Sequence, residues 1–153
     1  MKACLRFRFL YLLFLLIYFG AAGCTVKYVA EYDTTIKDEI VQISKKVDLF
    51  WGDLLDTPSN ERKYGKFKVK YNEIEADIRG LVMRNEIRPL NDESTKQAKI
   101  ALGLWVQDRE LHRNNDGFSD FEAKRHRVQF TRVFTAMAKG EEAKDTSSAA
   151  IPK

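Results

Sequence analysis

Cysteine is almost missing from this chain: only Cys4 and Cys24 occur. No disulfide can therefore form within residues 25–153, and a folded region there must be held by its core alone. Proline is confined to Pro58, Pro89 and Pro152, which leaves long stretches free of the residue that most strongly interrupts helices. Histidine occurs only as His112 and His126, a thin supply for acid–base chemistry near neutral pH. A glycine-rich phosphate loop is lacking, and so is any Ser-His-Asp or Cys-His signature. The catalytic classes that those motifs serve find no support, and the expectation is a non-enzymatic protein.

An excess of one charge is lacking too, once the chain is divided. The formal net charge is +4, of which Lys2, Arg6 and Arg8 supply three, leaving 4 − 3 = +1 for residues 24–153. Charges of both signs are interspersed along that remainder, which argues for an ordinary solvated surface and against a nucleic-acid partner.

What is present begins at the N-terminus. The basic start Met1-Lys2-Ala3-Cys4-Leu5-Arg6-Phe7-Arg8 is followed by residues 9–19 without a charge, then by the small residues Gly20-Ala21-Ala22-Gly23 directly before Cys24. A positive segment, an apolar segment and a small-residue cleavage site make an export signal. With the cysteine in place, the segment resembles the bacterial prolipoprotein signal, although Ala21 stands where that family usually has an aliphatic residue such as leucine.

The resemblance implies removal of residues 1–23 and a diacylglyceryl thioether with an N-acyl chain of the palmitate type at Cys24. It also implies a protein held on the cell membrane or outer membrane, facing the periplasm, with Thr25 in place of an aspartate favouring the outer membrane of a Gram-negative cell. The alternative is an uncleaved anchor, since residues 9–26 approach the length of the shortest membrane-spanning helices, ~17 residues; the basic flank would still put the rest of the chain outside the cytoplasm. Residues 24–32 then form a tether in which Tyr28, Val29 and Tyr32 suit packing back on the domain or lying near lipid headgroups.

From residue 33 the apolar pattern has a helical period. Ile36, Ile40, Ile43, Val47, Phe50 and Leu54 recur in fours and threes, predicting a first helix with Asp33 as N-cap. Tyr64, Phe67, Tyr71, Ile74, Ile78 and Leu81 predict a second, after the Thr57-Pro58-Ser59-Asn60 break. A third starts near Ser94 and holds the nearly continuous apolar run from Ile100 to Val106, so it is expected to be the most buried. Asn114-Asn115-Asp116-Gly117 makes a turn, and Ser119 with Glu122 forms a capping box for a fourth helix whose core face reads Ala123, His126, Phe130, Val133, Phe134 and Met137. Residues 140–153 offer little to bury and are expected to be a disordered tail. The fold class is all-α, an antiparallel four-helix bundle-like domain over residues 33–139. Its general style is similar to that of small helical envelope lipoproteins.

One constellation suggests chemistry. Asp108 with His112 and Glu122 with His126 are acid–histidine pairs four residues apart, on helices predicted to form a hairpin. If the four side chains converge, imidazole and carboxylate suit a divalent Zn, Fe or Mn ion, although carboxylate-bridged sites in bundles usually space the pair by three. The competing and favoured expectation is interhelical ion pairs and one core histidine, with Arg109, Arg113, Lys124, Arg125 and Arg127 neutralising the same carboxylates. Calcium binding at Asn115-Asp116-Gly117 is excluded, because an EF-hand register would put Ala123 where a glutamate is required. The basic run Lys124-Arg125-His126-Arg127 reads as a solvated helix face.

The expected function is that of a lipid-anchored extracytoplasmic lipoprotein whose helical domain binds an envelope protein or supports envelope structure. The alternative is a metal- or ligand-binding protein using the hairpin of the third and fourth helices.

Overall fold

The computed structural model describes residues 29–149, with side chains as far as Asp145. The expected signal residues 1–23, the expected lipidation site Cys24, residues 25–28 and residues 150–153 lie outside the described residues. Within them are four α-helices and no strand: α1 (Thr34–Asp56), α2 (Tyr64–Glu86), α3 (Asp92–Asn115) and α4 (Asp120–Ala149), with a single 3-10 turn at Ser59–Glu61. Among the described residues no helix is long and apolar enough to cross a membrane.

α1 starts where its cap predicts. The Asp33 carboxylate accepts from the backbone N–H groups of Thr35 at 2.8 Å and Ile36 at 3.3 Å, satisfying donors that have no partner within the helix. All six residues of the predicted stripe are buried, and Trp51 joins them. α4 starts on its capping box: the Glu122 carboxylate accepts from the Ser119 N–H at 2.9 Å, and the Ser119 hydroxyl accepts from the Glu122 N–H at 3.2 Å. α2 has no cap of its own. Its first N–H, on Tyr64, donates instead to Asp116 Oδ1 at 2.9 Å, so the residue that follows α3 caps α2.

The helices run antiparallel around a ring. α1 packs most extensively on α4, and α2 on α3, while α1 with α2 and α3 with α4 close the bundle. Ion pairs record the register: Asp48 faces Arg127 across α1 and α4, Lys46 faces Asp77 across α1 and α2, and Glu86 faces Lys99 across α2 and α3. The core is strongly aromatic. Phe50 lies 4.4 Å from Tyr71 and 5.0 Å from Trp105 between ring centroids, and Trp105 lies 5.5 Å from Phe130. Tilted and edge-on pairs of this kind stabilise by about 1 kcal/mol each beyond the area they bury.

Two expectations are corrected. α3 is not the most buried helix: Ile100 is 58% exposed, and Leu102, Leu104 and Val106 are only half-buried. At 100° per residue a continuous apolar run cannot face one way, so only Ala98, Ala101, Trp105, Asp108 and His112 turn inward. The described part of the expected tail, residues 140–149, is instead the last part of α4, and Glu141 and Lys144 are buried in it. They continue the core stripe of Phe130, Phe134 and Met137 at the same spacing of fours and threes. Their polarity hides that continuation from a reading based on apolar residues alone.

Candidate functional site

Of the four acid–histidine residues, the fold brings two together. His126 Nδ1 lies 2.8 Å from Asp108 Oδ2, joining α3 to α4 with both side chains 6% exposed. Despite the short distance, neither of these two buried atoms makes a hydrogen bond. The His126 ring stacks on Trp51, with centroids 5.3 Å apart and planes 15° from parallel. His126 Nε2 and Trp51 Nε1 are both buried without a hydrogen-bond partner.

His112 goes elsewhere. Its Nε2 lies 2.8 Å from the Arg62 carbonyl oxygen, and its Nδ1 lies 3.2 Å from the Tyr71 hydroxyl. A carbonyl oxygen only accepts, so Nε2 carries the proton and donates to it. In the neutral ring Nδ1 is then bare and accepts from Tyr71. Burial holds the His112 pKa below its ordinary value, against opposing effects of the Arg62 carbonyl and Asp116. Burial likewise pushes the Tyr71 phenol well above its usual range, helped by Asp108 and Tyr64, and keeps it as a neutral donor.

Glu122 stays at the surface end of α4. Its carboxylate is used by Ser119, whose backbone and hydroxyl hydrogen bonds hold its pKa low. Among the described residues no group of three or more His, Cys, Asp or Glu side chains is arranged to share a metal ion. Of the basic residues expected to neutralise these carboxylates, Arg125 helps to hold the Glu122 pKa low, whereas Arg109 pairs with Glu75 and Glu110, Arg113 with Glu110, and Arg127 with Asp48. The Arg127 guanidinium holds the Asp48 carboxyl below its usual pKa.

Sequence reasoning missed two buried polar hubs, one at each end of the bundle. At the end where α1 finishes, Arg62 is 3% exposed. Its guanidinium donates to the carbonyls of Thr57 at 2.8 Å, Leu55 at 3.1 Å and Phe118 at 3.1 Å, and pairs with Asp120 Oδ1 at 2.7 Å. A cation is favourable here because the last turn of α1 presents carbonyls with no partner in the helix.

At the other end Glu141, 1% exposed, gathers three donors. Its Oε1 accepts from the Asp33 N–H at 3.1 Å and the Arg88 guanidinium at 3.2 Å, while its Oε2 pairs with Lys144. Lys144 Nζ also donates to Asn91 Oδ1 at 2.7 Å, and Asn91 Nδ2 donates to Asn85 Oδ1 at 2.7 Å. This hub ties the start of α1, the α2–α3 turn and the end of α4 together. It borders a cleft of about 520 Å³ whose lining includes Val29, Leu90, Asn91 and Lys144. A visible signal was the stripe position of Glu141 and Lys144; for Arg62, in a turn without period, there was none.

Compared with known protein families, with curated proteins and with solved structures, the chain matches none, and the roles of these residues rest on their own geometry.

Proposed function

We propose that the chain is a lipid-anchored, periplasm-facing envelope lipoprotein whose helical domain acts by binding a protein partner, not by catalysis. The anchor is supported by the basic and apolar start followed by Gly20-Ala21-Ala22-Gly23-Cys24. The observation that carries protein binding is Phe121: it is 73% exposed on the face of α4 turned away from the core, with Val128 two turns further along at 49%. Exposed Lys124, Arg125 and Arg132 surround the two. An aromatic anchor bordered by arginines is the composition favoured at protein interfaces. A non-enzymatic role is further supported by the use of the two histidines in core contacts, at 0% and 4% exposure.

Site-specific photocrosslinking in intact cells tests the proposal. A photoreactive side chain in place of Phe121 should give a reproducible adduct with one envelope protein, and the same group in place of Lys68 on α2 should not. Equal adduct patterns at the two positions would sink the interaction reading. The anchor is tested separately by metabolic labelling with a fatty acid: label is expected in the wild type and lost in Cys24→Ala. A variant that keeps the label disproves lipidation at Cys24, and membrane retention of an unlabelled wild type would point to the uncleaved anchor.

A further inference from the structure

The hub at Glu141 fixes where the chain enters the bundle. The Ala30 N–H donates to the Leu90 carbonyl at 2.9 Å, Ala30 is buried, the Arg88 guanidinium bonds the Glu31 carbonyl, and the Asp33 N–H donates to Glu141. The last part of the expected tether is thus seated on the α2–α3 turn. Only five peptide steps separate Cys24 from Val29, a reach of at most about 18 Å. The bundle is longer than that: a helix such as α1, of 23 residues, spans roughly 35 Å. Acyl chains on Cys24 would therefore keep the end bearing Val29 and the α2–α3 turn next to the lipid.

That end is apolar at its tip. Ile87 is 76% exposed, Leu90 54% and Val29 49%, and Pro89 between Ile87 and Leu90 is also exposed. Leu90 has φ 59°, a left-handed backbone that a leucine adopts unfavourably. The neighbouring residues hold it there, Arg88 through Glu141 and Asn91 through Asn85 and Lys144. A strained residue kept rigid with its apolar side chain in solvent asks for a functional reason. Beside the tip Arg84 and Arg88 alternate with Glu86, Asp92 and Glu93, so the surroundings carry both signs and favour apolar contact over attraction to anionic headgroups.

We infer that Val29, Ile87 and Leu90 form a membrane-docking tip that inserts shallowly into the lipid surface holding the Cys24 acyl chains and so sets the orientation of the bundle. The inference rests on the lipid-anchor reading above and adds a contact that the anchor alone does not require. Apolar side chains at the boundary of headgroup and acyl chain gain by burial, and a second attachment stabilises a singly anchored domain.

The test uses the full-length, lipidated protein reconstituted in phosphatidylethanolamine–phosphatidylglycerol vesicles. With Cys4 lost in the signal and Cys24 acylated, the Ile87→Cys and Phe121→Cys variants each carry one free thiol for an environment-sensitive fluorophore. The expected result is a blue-shifted emission at Ile87 that brominated acyl chains quench several-fold more than emission at Phe121, with little dependence on salt or on phosphatidylglycerol content. Leu90→Asp, with its helicity checked, should reduce that difference while the protein still floats with the vesicles. Flotation with equal quenching at the two sites overturns the docking tip and leaves the anchor standing. Failure of the unlabelled wild type to float, with an intact mass lacking acyl chains, overturns both.

Discussion

Glu141 accepts from Arg88 at 3.2 Å across 53 residues of sequence, and through this contact the end of α4 holds the turn between α2 and α3. Breaking such a pair leaves charge in a site with little water, which usually costs about 3 kcal/mol or more. Glu141→Ala strands Arg88, Lys144 and the Asp33 N–H together. It is expected to destabilise by about 3 kcal/mol in chemical unfolding, and truncation after residue 139 should do at least as much. The neighbouring Glu142, 61% exposed and paired with Lys37, provides the control: Glu142→Ala should leave the unfolding midpoint unchanged within error. Equal midpoints for the two alanine variants would show that the hub does not hold the bundle.

Arg62 is the corresponding hub at the opposite end. Arg62→Met keeps much of the side chain's volume but removes donors to the Thr57, Leu55 and Phe118 carbonyls. A loss of about 2–4 kcal/mol is expected from the orphaned buried acceptors. Arg62→Lys retains the charge but cannot reproduce a planar fork serving several carbonyls, so it should recover only a minor part of that loss. Calorimetry of both variants checks the order; a lysine variant as stable as the wild type would mean that charge alone suffices.

What the sequence made legible follows from which signal each residue carries. The α1 stripe and the two caps, Asp33 and Ser119 with Glu122, were readable because period and side-chain chemistry agree there. The pairing of Asp108 with His126 was also legible, since hairpin register alone sets those positions opposite each other. The separation of His112 from Glu122 was not. It depends on the Arg62 carbonyl reaching in from the turn after α1 and on the Tyr71 hydroxyl from α2, partners that a two-helix argument does not contain. Polar residues on core stripes, such as Asn85, Glu141 and Lys144, mislead for a related reason. Their burial depends on partners distant in sequence, so local hydrophobicity reads them as the edge of the core.

His112 gives the fold a defined pH dependence. Its pKa is lowered in the folded state by burial, from an ordinary value of 6.5. At a pH below that value the unfolded chain binds the proton more readily, so this contribution to stability is complete above pH 6.5 and is lost as pH falls towards the lowered folded pKa. His112→Gln can still donate to the Arg62 carbonyl and accept from Tyr71, but cannot titrate. The wild type should therefore lose more stability than His112→Gln between pH 7.5 and about 5.5. Losses from Asp48 and Glu122, whose pKa values lie below the ordinary carboxylate range, begin at more acidic pH and should be common to both proteins. Parallel curves between neutral pH and pH 5.5 would remove His112 from the acid sensitivity.

The Asp108–His126 contact supplies a direct measurement for the metal alternative. Two donors meet at 2.8 Å, but His112 and Glu122 are committed to other partners, and a tight zinc site generally takes three or four protein ligands. Zn, Mn or Fe at tens of micromolar should therefore leave the melting temperature of the chelator-treated protein unchanged. An ion bound at this pair in the folded state alone would raise stability by RT ln(1 + [L]/Kd), and the rise would vanish in both Asp108→Asn and His126→Gln. A rise that survives both variants would place the ion elsewhere, while one abolished by both would mean that Glu122 or His112 leaves its present partner to complete the site. Because His112 also bridges to Arg62 and Tyr71, the His112→Gln variant separates those cases: it should weaken the metal response if His112 is recruited and preserve it if Glu122 is.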